Sequence, residues 1–141
     1  MCRARQTGFT LLELVVVLAI CGLLASIVLP GYQRSVQTGA RAEGQSLLLQ
    51  VAANQERYYA RNNTYAASAN PLLDSQPPSM TSETGLYRVE VAACAGGTLA
   101  TCFIATATPL GRQADDECGA LTLSSTGLKA ATNGSVYTCW R

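Results

Sequence analysis

Residues 8–29 read GFTLLELVVVLAICGLLASIVL. From Phe9 to Leu29 the run is apolar apart from small residues and one carboxylate, Glu13. A membrane-crossing helix needs roughly 20 mostly apolar residues, and this run supplies them. Glu13 is the anomaly. An ionised carboxylate in hydrocarbon is costly, so it reads as functional and calls for a partner charge. The residues before the run, MCRARQTG, are basic and end in glycine. Arg3 and Arg5 favour keeping that end in the cytoplasm, which puts the rest of the chain outside it.

A secretory signal has an apolar stretch of about 7–15 residues followed by a small-residue cleavage site. Here the stretch is longer, and Pro30-Gly31-Tyr32 follows it, so removal after the run is not expected. A plain single-pass anchor explains the length of the run. It explains neither Glu13 nor Gly8.

The 141 residues suit one domain plus an anchor. There is no histidine, which excludes imidazole catalysis and His-ligated metals. Without Arg3 and Arg5 the chain keeps eight basic and nine acidic residues, a balance with no electrostatic footprint for nucleic acid. Arg57, Arg61, Arg88, Arg112 and Arg141 are scattered and matched by acids, which argues against a DNA-binding surface. Ser124 and Ser125 have no base to activate them, so no enzyme is expected. No cofactor is expected either. Asp115-Asp116-Glu117 is the densest acidic cluster; it reads as a solvated turn, with calcium as the rival occupant, and no metal site is expected.

Cys2 and Cys21 lie in or before the apolar run, and Cys94, Cys102, Cys118 and Cys139 lie in the last third. Four cysteines in a small exported domain read as two disulfides. Their spacings of 8, 16 and 21 contain no C-x-x-C knuckle, which disfavours zinc. Spacing alone leaves three pairings open. Cys94 and Cys102 flank a hairpin and are able to pair across its base, which would leave Cys118 and Cys139 to close a C-terminal loop.

Beyond Leu29 the helical pattern continues. Pro30 lacks a donor N–H and is expected to kink or locally open the helix. Leu47, Leu48, Val51 and Tyr58/Tyr59 follow helical spacing and give one apolar stripe, with Arg41, Glu43, Glu56, Arg57 and Arg61 on or near the other side. Asn62-Asn63 breaks the helix. Residues 62–85, rich in Asn, Ser, Thr and Pro, read as a long loop without elements, stiffened at Pro77-Pro78. After Gly85 the period becomes two: Leu86–Ala93 and Cys102–Thr108 form a hairpin around Cys94–Thr98, Ala120–Ser124 is a third strand and Leu128–Ala131 a fourth. Asn133-Gly134 is a further turn signal before Val136–Trp140. The fold class is α+β: a long N-terminal helix packed on a small antiparallel sheet. Tyr137 and Trp140 read as caps on a small core, the alternative being partner-facing aromatics.

Gly8-Phe9-Thr10-Leu11-Leu12-Glu13 resembles the processing site of type IV pilins and pseudopilins. The resemblance implies cleavage after Gly8 by a dedicated prepilin peptidase and N-methylation of Phe9. Glu13 then becomes the fifth residue of the mature chain, where the family carries a glutamate. Gly22 and Pro30 also fall where the family has a helix glycine and a kink proline. The implied layout is a leader at 1–8, a transmembrane and filament-core helix at 9–30, the amphipathic half of the helix at 31–62, and residues 63–141 completing one globular pilin roll with 31–62. The Cys118–Cys139 pairing resembles the family's disulfide-bounded C-terminal loop, with Cys94–Cys102 as the second bridge.

Tyr58-Tyr59…Asn63-Thr64-Tyr65-Ala66 and the ending GALTLSSTGLKAA…Cys139-Trp140 resemble minor pilins of the PilE type. That resemblance implies a structural subunit that primes or joins a pilus serving twitching motility and adhesion. The implied partners are other pilin subunits and the assembly machinery of the inner membrane. The chain would sit there as a single-pass protein with its C-terminus periplasmic, and be extracellular once assembled. A type II secretion pseudopilin and a competence or DNA-uptake pilin are the alternatives.

Overall fold

The computed structural model describes residues 9–72 and 78–140. The chain divides into two compact units that part between Val36 and Gln37.

Helix α1 spans Leu11–Asn62. Thr10 caps its start: the Thr10 Oγ1 accepts the Glu13 N–H at 3.3 Å and its carbonyl accepts the Leu14 N–H at 3.2 Å. Thr10-x-x-Glu13 is therefore the sequence form of a capping box, with the threonine half made. α1 continues through Pro30, so the expected local opening does not interrupt the helix. It ends where Asn63 turns to φ 52 and returns its N–H to the Tyr59 carbonyl at 2.8 Å, a left-handed C-terminal cap.

The second unit carries five strands: β1 Met80–Thr81, β2 Tyr87–Ala93, β3 Phe103–Pro109, β4 Leu121–Ser124 and β5 Lys129–Ala131. They form one antiparallel sheet in the order β1-β2-β3-β4-β5. The register places Tyr87 opposite Pro109 and Ala93 opposite Phe103. Ala107 stands opposite Leu121, and Leu121 opposite Ala131. Alternation then follows from the pleat. Tyr87, Val89 and Val91 of β2 are buried with Phe103, Ala105 and Ala107 of β3 and Leu121 and Leu123 of β4, while Arg88, Glu90 and Ala92 are exposed. The core is completed by Leu47, Leu48 and Val51 of α1 and by Ala69. Gly127, at φ 79, makes the tight turn into β5, its N–H reaching the Ser124 carbonyl, a conformation glycine adopts without steric cost.

Three sequence expectations need correction, and one segment to which no element is assigned gains one. Residues 62–85 are not free of elements: Met80 and Thr81 form β1 against Val89 and Arg88. Pairing creates this two-residue strand, and no local periodicity announces it. Val136–Cys139 after the Asn133-Gly134 turn is a short helix, α2, capped by the Ser135 hydroxyl accepting the Thr138 N–H. Arg41 is not on the solvent side of α1; it is 6% exposed and lies on the buried stripe with Gly44, Leu47, Leu48, Val51 and Gln55. Asp116 is not part of a solvated turn; it is 4% exposed. Pro77 of the stiffened Pro-Pro pair lies outside the described residues.

Candidate functional site

The first feature is the helix surface itself. Every residue from Phe9 to Leu29 is exposed, and α1 is long and apolar enough at this end to cross a membrane. Leu11 is 80% exposed and Ile27 69%, values a water-soluble surface does not sustain over so many consecutive large apolar residues. Glu13 stands in the first turn of α1, where a negative charge complements the helix dipole. Its carboxylate forms no ion pair among the described residues. A Cβ placed on Gly22 would meet nothing within 4 Å, so the glycine leaves an open notch on an exposed face. Phe9 is described and exposed; Gly8 lies outside the described residues. Cys21, also exposed, is a free thiol.

The second feature is a polar ladder along α1 in the globular unit. Gln37, Arg41 and Gln45 are four residues apart, which stacks them on one helix face. The Gln37 carbonyl accepts from Gln113 Nε2 at 3.0 Å. Arg41 Nε donates to both Asp116 carboxylate oxygens at 3.0 Å, and its Nη2 to Glu117 at 3.2 Å. Gln45 Nε2 donates to the Cys139 carbonyl at 2.8 Å. The ladder thus holds the segment before β4 and the last residue of α2 (Val136–Cys139) against α1.

Asp116 is the hub. Beyond Arg41 it accepts from Gln113 Nε2 at 2.7 Å and from the Cys118 N–H at 2.8 Å. Burial works against the charge on Arg41, but the hydrogen bonds and charges of Asp116 and then Glu117 outweigh it and hold the guanidinium above its usual range. Tyr87 reaches the same cluster through its hydroxyl, 3.2 Å from Gln113 Nε2. Burial pushes this phenol above its ordinary value, with the Gln113 hydrogen bond opposing. With Asp116 accepting four hydrogen bonds from three donors, the 115–117 cluster is a structural anchor. No set of three or more metal-ligating residues gathers among the described residues.

Sulfur bridges join Cys94 to Cys102 and Cys118 to Cys139. The first closes the β2–β3 connection. The second ties the segment before β4 to α2, and both its cysteines are 1% exposed. Trp140 donates its indole N–H to the Ala130 carbonyl at 2.9 Å and carries Lys129 Nζ 5.0 Å above its ring. It packs against the core margin. Tyr137 does not cap the core; it is 71% exposed.

Sequence reasoning missed Arg41, Gln55, Gln113 and Asp116. For Arg41 and Gln55 a signal existed, since both continue the three-four spacing of Gly44, Leu47, Leu48 and Val51. For Asp116 and Gln113 there was none: their partners lie 75 and 76 residues away in the chain.

A family model described as the type IV minor pilin ComP, DNA uptake sequence receptor, matches residues 30–122. A second, the prokaryotic N-terminal methylation motif, matches residues 3–29. The type IV major pilin protein PilE1 of Neisseria gonorrhoeae is 42% identical over 78 residues, covering 49% of this chain and 46% of that one. The type II secretion system core protein G of Pectobacterium carotovorum subsp. carotovorum is 35% identical over 68 residues, 48% of this chain and 44% of its own. The type IV major pilin protein PilA of Myxococcus xanthus is 32% identical over 89 residues, 63% of this chain and 39% of its own. The chain thus spans less than half the length of these curated relatives. The solved structure of a type IV pilin from Shewanella oneidensis is 28% identical, with a TM-score of 0.49 over 70% of this chain and 96% of that one. The minor-pilin model covers well over half of the chain and the methylation motif most of what precedes it, so the chain belongs to the family of the type IV minor pilin ComP.

Proposed function

We propose that the chain is made as a prepilin, held in the inner membrane by its apolar helix, and then built into a type IV pilus as a minor subunit. The observation that carries this reading is the unbroken exposure of Phe9–Leu29. A helix surface of that composition needs lipid or other apolar helices around it. The same segment meets both in turn, first as an anchor and then in a bundle of like helices. Cleavage between Gly8 and Phe9 by a prepilin peptidase, with methylation of the new amine, places a positive charge four residues from Glu13. Glu13 of an incoming subunit then pairs with the Phe9 amine of its neighbour. In low dielectric such a pair sets register more than it adds net stability. The open notch at Gly22 suits close helix approach. The globular unit, with its bridged C-terminal segment, forms the outer surface.

Glu13→Ala tests this reading. The variant is expected to be processed to mature length and to be depleted from sheared filaments at least about tenfold, the effect of removing one partner of a desolvated charge pair. Wild-type incorporation would show that the carboxylate has no partner. Loss of protein secretion without loss of filaments, on deleting the chain, would favour the pseudopilin alternative.

A second reading is favoured by one observation, the match of residues 30–122 to a family described as a DNA uptake sequence receptor. Under it the subunit carries DNA contacts on the filament surface, despite a balanced charge. A gel shift of the full chain in detergent with duplex DNA is the check. Binding that weakens as salt rises supports this reading, and no binding at low salt removes it.

A further inference from the structure

The two sulfur bridges sit in different surroundings. Cys118 and Cys139 are sealed at 1% exposure, beneath the Asp116 anchor and the Gln45 contact. Cys94 and Cys102 are both half-exposed, in a connection whose residues Ala95–Thr98 are largely open to solvent. Gly97 lies so close that a Cβ there would come within 2.8 Å of Cys102 Sγ. Glycine adds no side chain against that sulfur, as Gly134 adds none against Cys139 Sγ, so it is burial that separates the two bridges.

The connection does more than join two strands. Leu99 packs against the core, and its carbonyl accepts the Tyr65 N–H at 2.8 Å. Tyr65 lies three residues beyond the end of α1 at Asn62. Its ring stacks on Tyr59 at 4.6 Å, meets Phe103 edge-on at 4.8 Å, and its hydroxyl reaches Glu56. Phe103 is the residue next to Cys102. The bridge therefore closes the loop on which the segment after α1 is docked.

We infer that Cys94–Cys102 is a thiol-exchange site, addressed by dithiol reductants, and that it latches the β2–β3 connection to the Tyr65 segment. Access, rather than the chemistry of the bond, separates the two bridges. A thiolate of the dithiol attacks the Cys94 or Cys102 sulfur, the S–S bond breaks and a mixed disulfide forms. The second thiol of the reductant resolves it. The reductant leaves as a cyclic disulfide, and its two electrons and two protons end on the Cys94 and Cys102 thiols. Opening the bridge frees the loop from its short closure, and the Leu99–Tyr65 hydrogen bond loses its fixed acceptor. The sheet and the Asp116 anchor stay as they are, since neither depends on this bridge.

The test is a native titration of the full chain in detergent with dithiothreitol, followed by alkylation, peptide mapping and hydrogen exchange. Cys94 and Cys102 are expected to become alkylated at a dithiol concentration at least about tenfold below that needed for Cys118 and Cys139. At that point the Tyr65 amide is expected to exchange about tenfold faster, with the Cys118 amide unchanged. The double variant C94S/C102S should show the same fast Tyr65 amide without reductant. Equal reducibility of the two bridges would overturn the inference, and so would a Tyr65 amide that keeps its protection once Cys94–Cys102 is open.

Discussion

Arg41 meets two neighbouring carboxylates that differ in almost everything but charge. Asp116 has a fully buried side chain, whereas that of Glu117 is 82% exposed. Removing one partner of a buried, hydrogen-bonded pair leaves the other charge stranded, at a cost of about 3–5 kcal/mol. An exposed pair contributes below about 1 kcal/mol. Asp116→Ala is therefore expected to lower the unfolding free energy by about 3 kcal/mol, and Glu117→Ala by less than about 1 kcal/mol. Denaturant melts of the two variants check this, and equal costs would mean that Arg41 is held by something other than Asp116. The contrast was invisible in Asp115-Asp116-Glu117 as a string. Three adjacent acids look alike until the fold buries one of them against Arg41, 75 residues away in the chain.

The elements differ in how openly the chain announces them. The apolar run and the alternation of Tyr87, Val89 and Val91 are local patterns, and α1 and the strands β2–β5 fall close to where those patterns lie. β1 is set by its neighbour, so two unremarkable residues become a strand only once Val89 is beside Met80. Buried polar residues on α1 hid for a related reason: a stripe is sought in apolar side chains, while this one begins with Arg41 and ends with Gln55. Its glycine is informative as well. A Cβ on Gly44 would lie 2.9–3.1 Å from the ring carbons of Tyr87, whereas one on Gly39 would meet nothing within 4 Å. Glycine in a helix interior costs roughly 1 kcal/mol relative to alanine, and overpacking a filled core costs about 1–3 kcal/mol. Gly39→Ala should raise stability by up to about 1 kcal/mol, and Gly44→Ala should lower it by about 1 kcal/mol or more. A stabilised Gly44→Ala would show that α1 and β2 are not in close contact there.

At the scale of the whole globular unit, pH reports on groups from both sides of the core. Tyr87 is fully buried, and burial holds its phenol above the ordinary value of 10.0. Tyr65 is raised as well, by burial and then by the Glu56 carboxylate. A folded pKa above the unfolded one stabilises the fold in full below the unfolded value, and that contribution is lost as pH rises through the folded value. Glu43 behaves in the opposite sense. The Thr84 hydroxyl and N–H hold its carboxyl below 4.5, so its contribution is present above that value and is lost as pH falls through the folded one. Glu43 is partly solvated, which makes the acid limb the weaker of the two. Stability should therefore be flat through neutral pH, decline gently below about pH 4.5 and fall more steeply above about pH 10. Denaturant midpoints across that range, with tyrosine ionisation followed by ultraviolet absorbance, measure it. Tyr87→Phe removes the buried phenol and should flatten the alkaline limb while lowering the neutral plateau through the lost Gln113 contact. An alkaline limb that keeps its slope in that variant would place the titrating group elsewhere, and the link from β2 through Gln113 to the Asp116 anchor would then carry no weight in the pH response.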